Sequence, residues 1–147
     1  MVSVTIVYFS SSGDTERIAK LLAADLRRRG RRVLLTELDE ARHSDLSQAE
    51  VILVGSPAWS GEAVAPPMVD FLTERLDSLR GKRVAFFGSY DWGDGRYFDR
   101  LAEDLRRQGI QVHRRPLLSQ AGREPSDSRD VAEFLDELLG KESPPAG

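Results

Sequence analysis

Apolar and polar positions divide this chain into a regular alternation of strands and helices. Val2 to Phe9 is rich in β-branched and aromatic residues and reads as a first strand. Three serines and Gly13 interrupt it. From Thr15 to Arg29 apolar residues return at helical spacing (Ile18, Leu21, Leu22, Leu26), and Gly30 is placed to end the helix. Arg32 to Glu37 is a second strand, and the polar stretch 38–48 holds one short helical turn. Ala49 to Ser56 carries the continuous apolar run Val51-Ile52-Leu53-Val54 of a third strand, followed by a loop over 57–65. Pro66 to Leu79 is helical, with Met68, Phe71, Leu72 and Leu76 on one face. Arg83 to Ser89 is a fourth strand and 90–95 a loop. Tyr97 to Gln108 is a helix with Phe98, Leu101 and Leu105 inward. Ile110 to Leu118 is a fifth strand, which Pro116 places at an edge. After a loop over 119–126, Asp127 to Leu139 is a last helix with Val131, Phe134, Leu135 and Leu138 inward.

The strands lack strict in–out alternation, so both faces of their sheet are covered, as in parallel sheets. Right-handed crossovers then give an α/β fold: a three-layer, doubly wound, five-stranded parallel sheet in the order 2-1-3-4-5. Ligands of such folds sit beyond the carboxyl ends of the strands where the order reverses, here between strands one and three. The loops after strands one, three and four line that position. Residues 1–140 are expected to form one domain and 141–147 a flexible Pro/Gly tail.

The loop after strand one, Ser10-Ser11-Ser12-Gly13-Asp14-Thr15, is suited to an anion. The first N–H groups of a helix lack backbone partners and carry the positive end of its dipole. Ser10, Ser12 and Thr15 add hydroxyl donors, and Gly13 allows close approach and φ > 0. Read without a ligand, the same stretch is an ordinary helix start capped by Asp14 or Ser12. It is neither a Walker loop nor a G-x-G-x-x-G fingerprint, and it contains no lysine or arginine. A phosphate here would be held by backbone N–H groups and hydroxyls, at about 1.5–3 kcal/mol for each hydrogen bond to the charged group.

Composition narrows the chemistry. The 147 residues are 40% hydrophobic and 31% charged, with a formal net charge of −3, which argues against nucleic acid as the main partner. The absence of cysteine excludes disulfides, thiol catalysis and cysteine-held iron–sulfur clusters. The two histidines, His43 and His113, are far apart in sequence, so no metal site is expected. No signal-peptide pattern and no membrane-length apolar run are present, and a cytoplasmic location without membrane association follows as the expectation. The basic run Arg27-Arg28-Arg29, with Arg31 and Arg32, reads as a solvated helix end that complements the dipole.

Both tryptophans lie in the other two loops. Gly55-Ser56-Pro57-Ala58-Trp59-Ser60-Gly61-Glu62 follows strand three, and Gly88-Ser89-Tyr90-Asp91-Trp92-Gly93-Asp94-Gly95 follows strand four. Two aromatics facing each other across a pocket would sandwich a flat ring.

With the serine-rich loop, these segments resemble the flavodoxins, small electron carriers that bind FMN, over nearly the whole chain from Val4 to Leu139. The second tryptophan loop is similar to that of the short-chain, clostridial-type members. The resemblance implies that Ser10, Ser11, Ser12, Gly13, Asp14 and Thr15 hold the FMN phosphate. It implies that Ser56, Pro57, Ala58 and Trp59 line one face of the isoalloxazine. Trp92 would stack on the other face, with Tyr90 as its competitor. Ser60 and Gly61 would present a peptide near flavin N5. Backbone groups of Ser89, Tyr90, Asp91, Trp92 and Gly93 would meet the pyrimidine edge. Glu62, Asp91 and Asp94 would rim the site.

The family implies a low-potential one-electron carrier, with no catalytic residues, that passes electrons as a monomer between a reductase and acceptor proteins in transient complexes. In the family the peptide corresponding to Ser60–Gly61 turns its carbonyl to the reduced N5–H; one such bond corresponds to about 40–90 mV. A rim carboxylate about 10 Å from the reduced anion would repel it by roughly 1–2 kcal/mol, lowering the second potential. Ser60 stands where many relatives have glycine and Asp14 where asparagine is usual, and the net charge is milder than that of the strongly acidic relatives. Docking is therefore expected to be less salt-dependent than theirs. An FMN-dependent quinone or azo-type reductase on the same fold is the alternative, and an apo binding module a lesser one. A receiver domain is rejected, because Ser10-Ser11-Ser12 and Ser56 stand where its acidic residues belong.

Overall fold

A computed structural model of the chain describes residues 3–9, 13–59, 63–90, 95–120 and 128–140, and all structural statements below concern these. Strand β1 (Ser3–Tyr8) leads through a loop to helix α1 (Asp14–Arg28), β2 (Arg32–Glu37), a 3-10 turn at Leu38–Glu40, α2 (His43–Ser47) and β3 (Val51–Gly55). Two short strands, β4 (Ala58–Trp59) and β5 (Ala63–Val64), precede α3 (Pro66–Thr73), α4 (Leu76–Leu79) and β6 (Arg83–Tyr90). The remainder is α5 (Asp99–Arg107), β7 (Gln111–Val112), β8 (Leu117–Gln120) and α6 (Ser128–Leu139).

The main sheet is parallel, in the order β2-β1-β3-β6-β7, and β8 also pairs with β6. The expected fifth strand is thus split: β7 pairs with the first two residues of β6 and β8 with the last four. Pro116 explains the break, since it cannot donate to a ladder, and Arg114 and Arg115 beside it are exposed. With that split, the expected order 2-1-3-4-5 holds.

Alternate residues of each strand feed two cores. Val7, Ile52, Val54, Val84 and Phe86 meet Met68, Phe71, Leu72, Phe98, Leu101 and Leu105 from α3 and α5 and its approach. On the other face Val4, Ile6, Leu53, Ala85 and Phe87 meet Ile18, Leu22 and Leu26 of α1 and Val131, Phe134, Leu135 and Leu138 of α6. All five β3 residues are buried because both neighbours and both faces are covered, which is why its sequence runs apolar without interruption.

Three further details differ from expectation. The helix from Pro66 breaks between Thr73 and Leu76, and the helix expected from Tyr97 starts at Asp99. The loop after β3 is a small hairpin, with Ala58 paired to Val64 and Trp59 to Ala63. No helix among the described residues is long and apolar enough to cross a membrane.

Candidate functional site

The carboxyl ends of β1, β3 and β6 lie side by side, and the three loops singled out in the sequence leave from them. At the end of β1, the Phe9 amide donates to the Gly55 carbonyl (3.0 Å) and keeps the chain on the sheet one residue past Tyr8. Helix α1 begins with Gly13 at the N-cap position, at φ +94°, and the Arg17 amide closes the first turn on its carbonyl (3.0 Å). The cap is therefore glycine and not Asp14 or Ser12: a left-handed backbone admits glycine at little cost. A side chain built on Gly13 would meet open space, so the glycine answers a conformational need and leaves room beside the helix start. Asp14 is exposed, whereas Thr15 is 1% exposed, with Oγ1 3.2 Å from Ser89 Oγ. The Thr15 side chain thus ties this loop to the end of β6.

Ser56 is fully buried. Its Oγ donates to the Pro57 carbonyl (2.9 Å) and accepts from the Ala65 amide (3.0 Å), pinning both ends of the β4–β5 hairpin. Its amide donates to the Phe87 carbonyl (3.1 Å). Pro57 is buried and Ala58 half-buried. Trp59, at the hairpin, is 38% exposed and meets Phe9 edge-on at 5.8 Å. At the end of β6, Ser89 is buried and Tyr90 half-buried against the α3/α5 core.

The structure adds a residue that periodicity did not single out. Tyr97, 3% exposed, donates its hydroxyl to the Ser56 carbonyl at 2.6 Å and lies 3.3 Å from the Ser89 carbonyl. Burial, with a smaller effect of Tyr90, pushes this phenol above its ordinary value, so it is a donor at any physiological pH. A Cβ at Gly88 would overlap both the Ser56 carbonyl oxygen and the Tyr97 hydroxyl, so the glycine makes room for this contact. Phe9 likewise reads from the pattern only as the end of a strand. The available signal was its place, one residue beyond β1 and at the level of the loops.

Of the expected site residues, Gly13, Asp14, Thr15, Ser56, Pro57, Ala58, Trp59, Ser89 and Tyr90 are brought to one end of the sheet. Ser10, Ser11, Ser12, Ser60, Gly61, Glu62, Asp91, Trp92, Gly93 and Asp94 lie outside the described residues. Carboxylates gather nearby. The Tyr8 hydroxyl donates to Glu16 Oε2 (3.3 Å), and desolvation together with the Glu16 and Glu37 charges pushes its pKa up to about 12. Among the described residues no group of three metal-ligating side chains forms.

This end of the molecule offers neutral donors, an open helix start and a half-exposed indole, with lysine and arginine absent from 9–16. Such a set fits a phosphate joined to a flat aromatic ring.

Comparison with known proteins points the same way. A flavodoxin family profile matches residues 6–139. A flavodoxin of Clostridium beijerinckii is 31% identical over 131 residues, 88% of this chain and 94% of that one. A flavodoxin of Megasphaera elsdenii is 34% identical over 110 residues, covering 74% and 80%. Among solved structures, oxidised Flavodoxin 1 from Bacillus cereus superposes with a TM-score of 0.78 at 27% identity, over 96% of this chain and 99% of its own.

Proposed function

The chain belongs to the flavodoxin family, FMN-binding electron-transfer proteins and not enzymes, and from that premise we propose that it is a low-potential one-electron carrier. It passes electrons, as a monomer in the cytoplasm, from a reductase to redox acceptor proteins through transient complexes. Residues 1–140 constitute the FMN domain. Ser10 to Thr15 hold the phosphate, Ser56 to Glu62 and Ser89 to Asp94 enclose the ring, and Trp59 lies against one ring face. When bound, FMN supplies a ring system that takes up and releases electrons.

The observation that carries this reading is the joining of the three loop roots by buried hydroxyls: Thr15 to Ser89, and Tyr97 between Ser89 and Ser56. A carrier needs a ring environment that changes little between oxidation states, and loops fixed at their roots provide it. In this reading the Ser60–Gly61 peptide is the group that meets flavin N5.

The test is an anaerobic reductive titration of the FMN-loaded protein followed by visible absorbance. Two resolved one-electron steps with distinct spectra are expected. A single two-electron bleaching would replace the carrier with the reductase.

A further inference from the structure

The two tryptophan loops repeat one pattern. Gly55-Ser56-Pro57-Ala58-Trp59 and Gly88-Ser89-Tyr90-Asp91-Trp92 both read Gly-Ser-x-x-Trp, and each begins at the carboxyl end of one of two neighbouring, paired strands, β3 and β6. The serine three residues before each tryptophan presents its carbonyl to the same atom, the Tyr97 hydroxyl, at 2.6 Å (Ser56) and 3.3 Å (Ser89). We propose that Tyr97 is a positioning residue of the flavin site: its hydroxyl fixes the spacing of the two loops that flank the ring. The inference rests on the flavin-site reading above.

The hydroxyl is a fixed reference because its ring cannot drift. Tyr97 lies 4.5 Å from the Phe98 ring, and Phe98 stacks on Phe86 of β6 at 4.6 Å and 6°. Phe86 and Phe98 are at most 2% exposed. The donor therefore stands at the end of a rigid aromatic stack anchored in the sheet. One phenolic proton serves two carbonyls, and the shorter contact takes it, so the bond runs to Ser56 while Ser89 borders the same atom. Gly88 is required for this arrangement, since any side chain there would stand where the hydroxyl and the Ser56 carbonyl meet. The phosphate side joins the network through Ser89 Oγ and Thr15 Oγ1, but it does not touch Tyr97. The proposal thus separates ring from phosphate: removing the hydroxyl loosens the ring loops and leaves the phosphate loop intact.

The variant is Tyr97→Phe, with four readouts: FMN affinity, riboflavin affinity, visible circular dichroism of the bound flavin, and urea stability of the apo-protein. FMN and riboflavin are expected to lose affinity by the same factor, about tenfold for one hydrogen bond, and the flavin dichroism is expected to change. A lowered apo stability with unchanged affinities and dichroism would overturn the proposal, leaving Tyr97 a purely structural residue. A loss for FMN without a loss for riboflavin would also overturn it, because the phosphate side would then be responsible. If the wild-type chain binds neither flavin, the flavin-site reading itself fails. If Tyr97→Phe does not fold, the wild-type protein with ring-labelled tyrosine answers the question by NMR. The Tyr97 signal is expected to shift on FMN binding, and an unmoved signal would overturn the proposal.

Discussion

The two ends of the central sheet use polar groups in opposite ways. At the amino end, cations are committed to helix C-termini. Arg80 Nε donates to the Gln108 carbonyl at the end of α5 (3.0 Å), Lys82 Nζ to the Ser47 carbonyl ending α2 (2.7 Å), and Arg83 Nη1 to the Leu138 carbonyl near the end of α6 (2.6 Å). Three side chains at the start of β6 and just before it thus fasten three helices. Arg29, near the end of α1, bonds Asp25, Asp136 and the Ala132 carbonyl, joining α1 to α6. These are favourable placements, because the last carbonyls of a helix lack backbone partners and carry negative charge. At the carboxyl end the connections are neutral hydroxyls: Thr15, Ser56, Ser89 and Tyr97. Charge at one end closes the architecture. The absence of lysine and arginine from the phosphate-type loop at the other leaves backbone N–H groups and hydroxyls as the donors for a ligand.

The strongest way to break this contrast is Gly88→Ala. The added Cβ collides with a backbone carbonyl and a buried phenol, neither of which can move freely. FMN affinity is expected to drop by more than about 100-fold and apo stability by about 1–3 kcal/mol, measured by flavin fluorescence titration and urea unfolding. Trp59→Ala separates ligand from fold more cleanly. The indole is partly exposed and contacts Phe9 only edge-on, so apo stability should change by less than about 1 kcal/mol while FMN affinity falls by roughly 1–3 kcal/mol through lost stacking. Arg83→Met probes the other end. It should lower stability by about 1 kcal/mol through the lost bond to Leu138 and leave FMN affinity unchanged.

The smallest effect concerns pH. Burial pushes the His113 imidazole below its ordinary value, and its Nε2 has no hydrogen-bond partner among the described residues. Glu137 opposes this shift, while Arg83 and Arg115 reinforce it. The unfolded chain takes up the proton more readily than the folded one. Stability is therefore full above the unfolded value of about 6.5 and falls as the pH drops below it. His113→Phe should flatten that slope in urea unfolding between about pH 5 and 8, without moving FMN affinity.

Most of the fold was legible because periodicity and punctuation agree. The unbroken run Val51-Ile52-Leu53-Val54 announced a strand covered on both faces, and Gly30 and Gly109 stand just past helix ends at positive φ. The split of the fifth strand was less visible. Pro116 signalled an edge, but where the ladder lapses and resumes is set by pairing with the two ends of β6, a tertiary effect. At the site, the loops could be named but their connections could not. Thr15 reads as a phosphate donor by residue type and Ser56 as a residue lining the ring, yet their side chains are buried and bond Ser89, Pro57 and Ala65. Tyr97 was invisible for a related reason. Its role depends on a gap at Gly88 and on two carbonyls distant in sequence, and neither leaves a periodic trace.

The most direct test of the contrast between the two ends is a titration of the apo-protein with FMN at low and high salt, followed by flavin and tryptophan fluorescence. Neutral donors at the carboxyl end predict an affinity that changes by less than about threefold between 0.05 and 0.5 M salt, with quenching of tryptophan. A steep loss of affinity with salt, abolished by neutralising Lys82 and Arg83, would place the phosphate at the basic amino end and contradict the account.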